Sequence, residues 1–172
     1  MSVTTRPLPI SAIGARRWWP ESVDDVTVRV TAAIILLVVV TAVATQQWWL
    51  FVPLFADFLA RTIRGPRWGV TSRLAALVRR RITVAPRPTA SAPKRFAAGI
   101  GATMTGLASL ALAATLLTDA TWPIVALWLI GAIMTLFPAL EAILGLCVGC
   151  KLFALLARFG VVDPDLCVDC VA

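Results

Sequence analysis

Four long apolar runs leave this chain little choice of fold. They cover residues 26–45, 50–63, 96–117 and 122–159, and residues 31–44 carry no charge. A soluble core of this size cannot hide that much apolar surface. In lipid each segment must satisfy its own backbone hydrogen bonds, so the runs become helices despite the β-branched content of the first. Hydrophobic residues make up 59% of the 172, far above a soluble domain's share. The expected class is all-α, an integral membrane bundle of four transmembrane helices.

Each run carries its own signals. Run 50–63 is short and interrupted by Pro53 and Asp57. Pro53 falls in the first turn, where its missing N–H costs little. Asp57 stands four residues before Arg61, the spacing of an ion pair on one helix face. Gly65-Pro66 should end that helix. In run 96–117, Ala98, Ala102 and Gly106 recur every four residues, as do Gly101 and Thr105. Small residues so spaced let helices approach closely, and packing within the chain is the expectation. Run 122–159 is too long for one span at about 1.5 Å per residue against a core of about 30 Å. Pro138 should kink it. The span should end near residues 144–146, with the helix continuing through two cysteines into the interface and ending at Gly160.

The charges set the topology. Ten of the sixteen Lys and Arg lie from Arg61 to Arg95, a stretch without Asp or Glu. Val70, Leu74, Leu77 and Val78 recur there at helical spacing among arginines. They predict a cytosolic amphipathic helix resting on an anionic leaflet. Pro86, Pro88 and Pro93 then predict an extended linker. Four spans place both termini on the side of this basic loop, and the positive-inside rule makes that side the cytoplasm. The net charge of +7 does not imply nucleic acid, because no aromatic-studded polar groove accompanies it. Arg16-Arg17-Trp18-Trp19 suits the headgroup layer. No compact signal-peptide pattern precedes the first run. The expected organisation is a polar tail (1–25), a transmembrane domain (26–160) with the basic loop (64–95), and a short Cys-rich tail (161–172).

The chemistry rests on cysteine. The only four form two Cys-x-x-Cys pairs, Cys147/Cys150 and Cys167/Cys170, with sixteen residues between them, and the chain has no His or Tyr. Three apart on a helix, the first pair shares a face and can cycle between dithiol and disulfide. Lys151 is a neighbouring cation, and Gly149 would leave room for a partner protein. The spacing also fits a tetrathiolate zinc site on Cys147, Cys150, Cys167 and Cys170. A stable structural disulfide does not fit a reducing cytosol. Glu141 has no cation one turn away and lies six residues before Cys147. It is a candidate proton acceptor for a thiol, or a partner of Arg61 or Arg64. Asp57 and Glu141 together leave a small transporter as a weaker alternative.

Leu140-Glu-Ala-Ile-Leu-Gly-Leu-Cys-Val-Gly-Cys-Lys-Leu-Phe153 resembles a bacterial membrane family, domain of unknown function 4395. Arg64-Gly-Pro-Arg67, Pro93-Lys-Arg-Phe-Ala97 and the tail from Gly160 to Cys170 are similar to its pattern too, so the resemblance spans residues 25–170. It implies a bacterial inner-membrane protein with a thioredoxin-like or rhodanese-like partner. It therefore favours thiol–disulfide or sulfur-relay chemistry over a silent zinc scaffold. In that relay Cys147 or Cys150 attacks, the other resolves, and Cys167/Cys170 shuttles equivalents. A mid-helix pair would lack activation by a helix N-terminus, which argues against assigning an enzyme.

Overall fold

The computed structural model describes residues 22–161. Six α-helices carry the fold: α1 (Asp25–Ala44), α2 (Phe51–Arg64), α3 (Val70–Arg79), α4 (Ser91–Leu117), α5 (Trp122–Ala139) and α6 (Val148–Arg158). Two short strands, β1 (Ser22–Asp24) and β2 (Pro88–Ala90), pair antiparallel with Ser22 opposite Ala90. The linker is extended at Pro88–Ala90, where its pairing with the chain before α1 closes the basic loop, but Pro93 lies in the first turn of α4, which starts five residues before the expected Phe96.

Three segments are long and apolar enough to cross a membrane. They are Asp25–Ala44, Ser91–Leu117 and Trp122–Leu144, with mean hydropathies of 2.5, 1.7 and 2.1. The run expected as the second span forms the 14-residue α2 after a 3-10 turn at Trp48–Leu50. At about 1.5 Å per residue α2 is roughly 21 Å long, less than a hydrocarbon core of about 30 Å. Pro53 sits in its first turn, and Gly65 at φ 98° ends it.

Helices apolar enough for lipid, which offers no hydrophobic drive between them, must be held together by close packing. The small residues of α4 supply it. Ala98, Ala102, Thr105 and Ala108 are buried. Phe58 of α2 covers Gly101 so closely that a Cβ there would have no room, and a Cβ on Gly106 would lie 3.0 Å from the Phe55 ring. The pairing order shows that α2 and α4 run antiparallel. Val43 lies against Gly131 and Arg29 against Gly145, so α1 opposes α5 in the same way. The starts of α1 and α4 and the ends of α2 and α5 therefore meet at one pole. At the other pole Trp48 meets Trp128 edge-on at 5.2 Å and stacks on Phe51 at 6.3 Å.

The first pole gathers the charges. Asp24 caps α1, accepting from Thr27 Oγ1 at 2.9 Å, from Arg79 Nε at 2.8 Å and from the Arg87 N–H at 3.0 Å. One carboxylate thus ties α1 to the end of α3 and to the linker. α3 packs on α1 and buries Thr71 and Ala75. Val70, Leu74, Leu77 and Val78 stay exposed, so its apolar stripe has no partner among the described residues.

Candidate functional site

The expected continuous helix through the first cysteine pair is broken. After Pro138 the chain makes one π turn, Leu140–Leu144, and stops at Gly145 with φ 70°. The Gly145 and Leu146 N–H groups bond back to Glu141 and Leu140 carbonyls at 3.1 Å each. Left-handed backbone favours glycine. The Arg29 guanidinium lies in the space a Cβ would occupy, so any other residue here would also have to displace that side chain. Apolar periodicity runs through this turn unchanged, which is why the sequence reads as one helix.

The break changes the chemistry of the pair. Cys147 is the N-cap of α6, in extended backbone, and its Sγ accepts the Cys150 N–H at 3.3 Å. Free N–H groups and the macrodipole favour negative charge at a helix start. The mid-helix objection to thiol activation therefore falls. Cys147 and Cys150 are bonded as a disulfide, with Cα atoms 5.2 Å apart. Cys147 is 8% exposed, whereas Cys150 is partly exposed. Lys151 is exposed on the first turn. Gly149 does not make room for a soluble partner. A Cβ there would lie 2.6 Å from the Ala97 Cβ, so the glycine fits α6 against α4, where Phe153 also meets Phe96 edge-on at 5.6 Å.

Glu141 lies in the π turn and pairs with Lys94 at 2.9 Å. That partner was missed, since it is 47 residues away in sequence. Its signal was the Lys94-Arg95 pair at the start of an apolar run. Lys94 Nζ also lies 3.5 Å from Asp25. Asp57 and Arg61 form the expected i, i+4 pair at 3.0 Å, with side chains only 6% and 9% exposed. Thr71 adds its N–H at 3.0 Å and its hydroxyl at 2.7 Å to Asp57. Both Asp57 oxygens are thus engaged in structure. Burial pushes the Asp24 carboxyl up, but the bonds from Arg79, Arg87, Thr27 and Val26 outweigh it and hold the group well below its ordinary 3.8.

These groups surround one cavity of about 450 Å³ lined by residues of all six helices. Cys147, Glu141, Lys94, Arg61 and Asp24 all line it. Among the described residues no group of three or more His, Cys, Asp or Glu is placed to hold a metal ion. The tetrathiolate zinc site and the thiol shuttle both need Cys167 and Cys170, which lie outside the described residues, as does the Arg16–Trp19 segment.

No curated protein and no solved structure matches the chain. A family model described as Domain of unknown function (DUF4395) matches residues 23–158. The match includes Glu141, Cys147 and Cys150 and stops short of the second cysteine pair. By that match over most of its length, with the cysteine pair at the start of α6 inside it, the chain belongs to the DUF4395 family.

Proposed function

We propose that this protein exchanges thiol–disulfide equivalents at a membrane surface through Cys147 and Cys150. The observation that carries the reading is the placement of Cys147 as the N-cap of α6, with its sulfur bonded to Cys150. A partner thiolate attacks the more accessible sulfur, Cys150. The Cys147–Cys150 bond breaks, and Cys147 leaves as a thiolate where the helix start stabilises negative charge. The partner's second thiol then attacks the mixed disulfide and releases Cys150. The partner ends oxidised and the pair reduced, and the reverse sequence oxidises the pair.

In this reading the pair sits at the cytosolic face of a four-span bundle. α2 with its preceding turn returns the chain toward the charged pole, giving four crossings. The basic pole then faces the cytosol, in a bacterial inner membrane, and the apolar stripe of α3 rests on that leaflet. A thioredoxin-like or rhodanese-like protein is the partner, with Cys167/Cys170 as the shuttle between it and the bundle.

Trapping tests the direction of attack. In a chain with Cys167→Ser and Cys170→Ser, Cys147→Ser leaves the accessible Cys150 without a resolving neighbour, so incubation with a single-cysteine thioredoxin-like protein activated as its thionitrobenzoate disulfide should release thionitrobenzoate and accumulate a mixed disulfide. Cys150→Ser leaves only the buried sulfur and should accumulate little. Equal trapping by both variants, or by neither, would overturn the assignment.

A further inference from the structure

The cavity beside the cysteine pair has the character of a site for a neutral, lipid-soluble electron acceptor. Ile35, Phe58, Met104, Met134, Phe137 and Leu152 give it a mainly apolar wall. Its charged lining is two acids, Asp24 and Glu141, against two bases, Arg61 and Lys94. Those charges balance, so the site favours an ion of neither sign. Arg61 is only 7% exposed, and its guanidinium is held over the Phe58 ring at 4.3 Å to the centroid. With Lys94 it supplies the cationic donors of the wall, and a hydrogen bond from such a group to a neutral acceptor is stronger than one between neutral partners. The volume of about 450 Å³ falls within the range of about 300–1,000 Å³ common to small-ligand sites. Cys147 lines this space and Cys150 does not. The occupant should thus be mostly apolar, uncharged, equipped with hydrogen-bond acceptors and placed against a redox-active sulfur.

We infer that the cavity binds an isoprenoid-type quinone, and that the reduced pair passes electrons to it through Cys147. This rests on the thiol exchange proposed above and supplies its missing oxidant. The Cys147 sulfur adds to a quinone ring carbon. The Cys150 sulfur then attacks Cys147, forming the S–S bond and breaking the S–C bond, whose electron pair enters the ring. Two S–H bonds are lost, and their protons finish on the two ring oxygens. The dithiol is oxidised to the disulfide and the quinone is reduced to the hydroquinone. The Arg61 guanidinium donates to one ring oxygen, and the inner position of Cys147 separates this reaction from the partner exchange at Cys150.

The test uses the full chain with Cys167→Ser and Cys170→Ser, so that one pair reports. The protein is reduced without oxygen, placed in lipid nanodiscs and mixed with 2,3-dimethoxy-5-methyl-6-decyl-1,4-benzoquinone. The expected result is one quinone reduced, by its ultraviolet absorbance, for each two thiols lost, at a rate that saturates with quinone. Arg61→Lys keeps a cation facing Asp57 but removes the guanidinium fork. It should raise the half-saturating quinone concentration at least about tenfold, the loss expected for a charge-assisted hydrogen bond. A pair that opens and closes in a glutathione buffer, yet reduces the quinone no faster than free dithiothreitol does, overturns the quinone site and leaves thiol exchange standing. A pair that does not cycle in glutathione overturns both. Saturable reduction indifferent to Arg61→Lys overturns the assigned site.

Discussion

Gly149→Ala sets two effects of opposite sign against each other. In a helix interior alanine is favoured over glycine by about 1 kcal/mol. Against that, the new Cβ would lie 2.6 Å from the Ala97 Cβ and 2.8 Å from the Ala97 Cα, where carbon atoms prefer about 3.5–4.0 Å. The second neighbour is backbone and cannot rotate away, so α6 must move off α4 by about 1 Å. Overpacking of this kind costs about 1–3 kcal/mol. The clash should win, leaving a net loss of up to about 2 kcal/mol. Gly99→Ala is the matched control, because its Cβ would meet only Thr62 Cγ2 at 3.8 Å. That variant should keep most of the propensity gain of about 1 kcal/mol. Thermal unfolding in one detergent reads both. Each kcal/mol is worth about 2–4 °C for a chain of this length, so Gly99→Ala should melt higher than the parent and Gly149→Ala lower. If both melt higher, α6 does not pack on α4 as described, and the position assigned to Cys147 fails with it.

Further outcomes follow from the charged pole. Asp57→Ala strands Arg61 without its counter-ion and should cost about 3–5 kcal/mol. Asp25→Ala, whose pair with Arg29 is far more exposed, should cost about 1 kcal/mol or less; similar losses in the two melts would refute the buried pair. The lowered Asp24 pKa means that its folded carboxylate is the stabilising form. That contribution is present in full above the unfolded value and is lost as pH falls below about 4 toward the folded one. Stability should therefore drop below pH 3.8 more steeply in the parent than in Asp24→Asn, and equal slopes would contradict the cap.

The helices were readable because lipid leaves apolar runs a single backbone solution. The Ala98–Ala102–Gly106 and Gly101–Thr105 rows told where another helix would lie close, and α2 lies there. Asp57 and Arg61 were readable as a local pair. What could not be read was set by distant residues. Gly145 breaks the last helical run where Arg29, far back in α1, occupies the space of its missing Cβ. Lys94 finds Glu141 across the bundle, and β1 finds β2 across the whole basic loop. The cavity draws on all six helices at once, so no sequence pattern announces it. The candidate chemistry was visible as cysteine spacing, but its most consequential feature, Cys147 at a helix start, depended on that unseen break.

The central claim is that Cys147 and Cys150 form a working redox pair. The most direct measurement is a free-thiol count with metal content on the full chain, purified in detergent without oxygen. The expected result is no stoichiometric metal, and a pair that opens with reduced thioredoxin and closes again on oxidation. One zinc per chain with four protected thiols would contradict it and leave a membrane scaffold in its place.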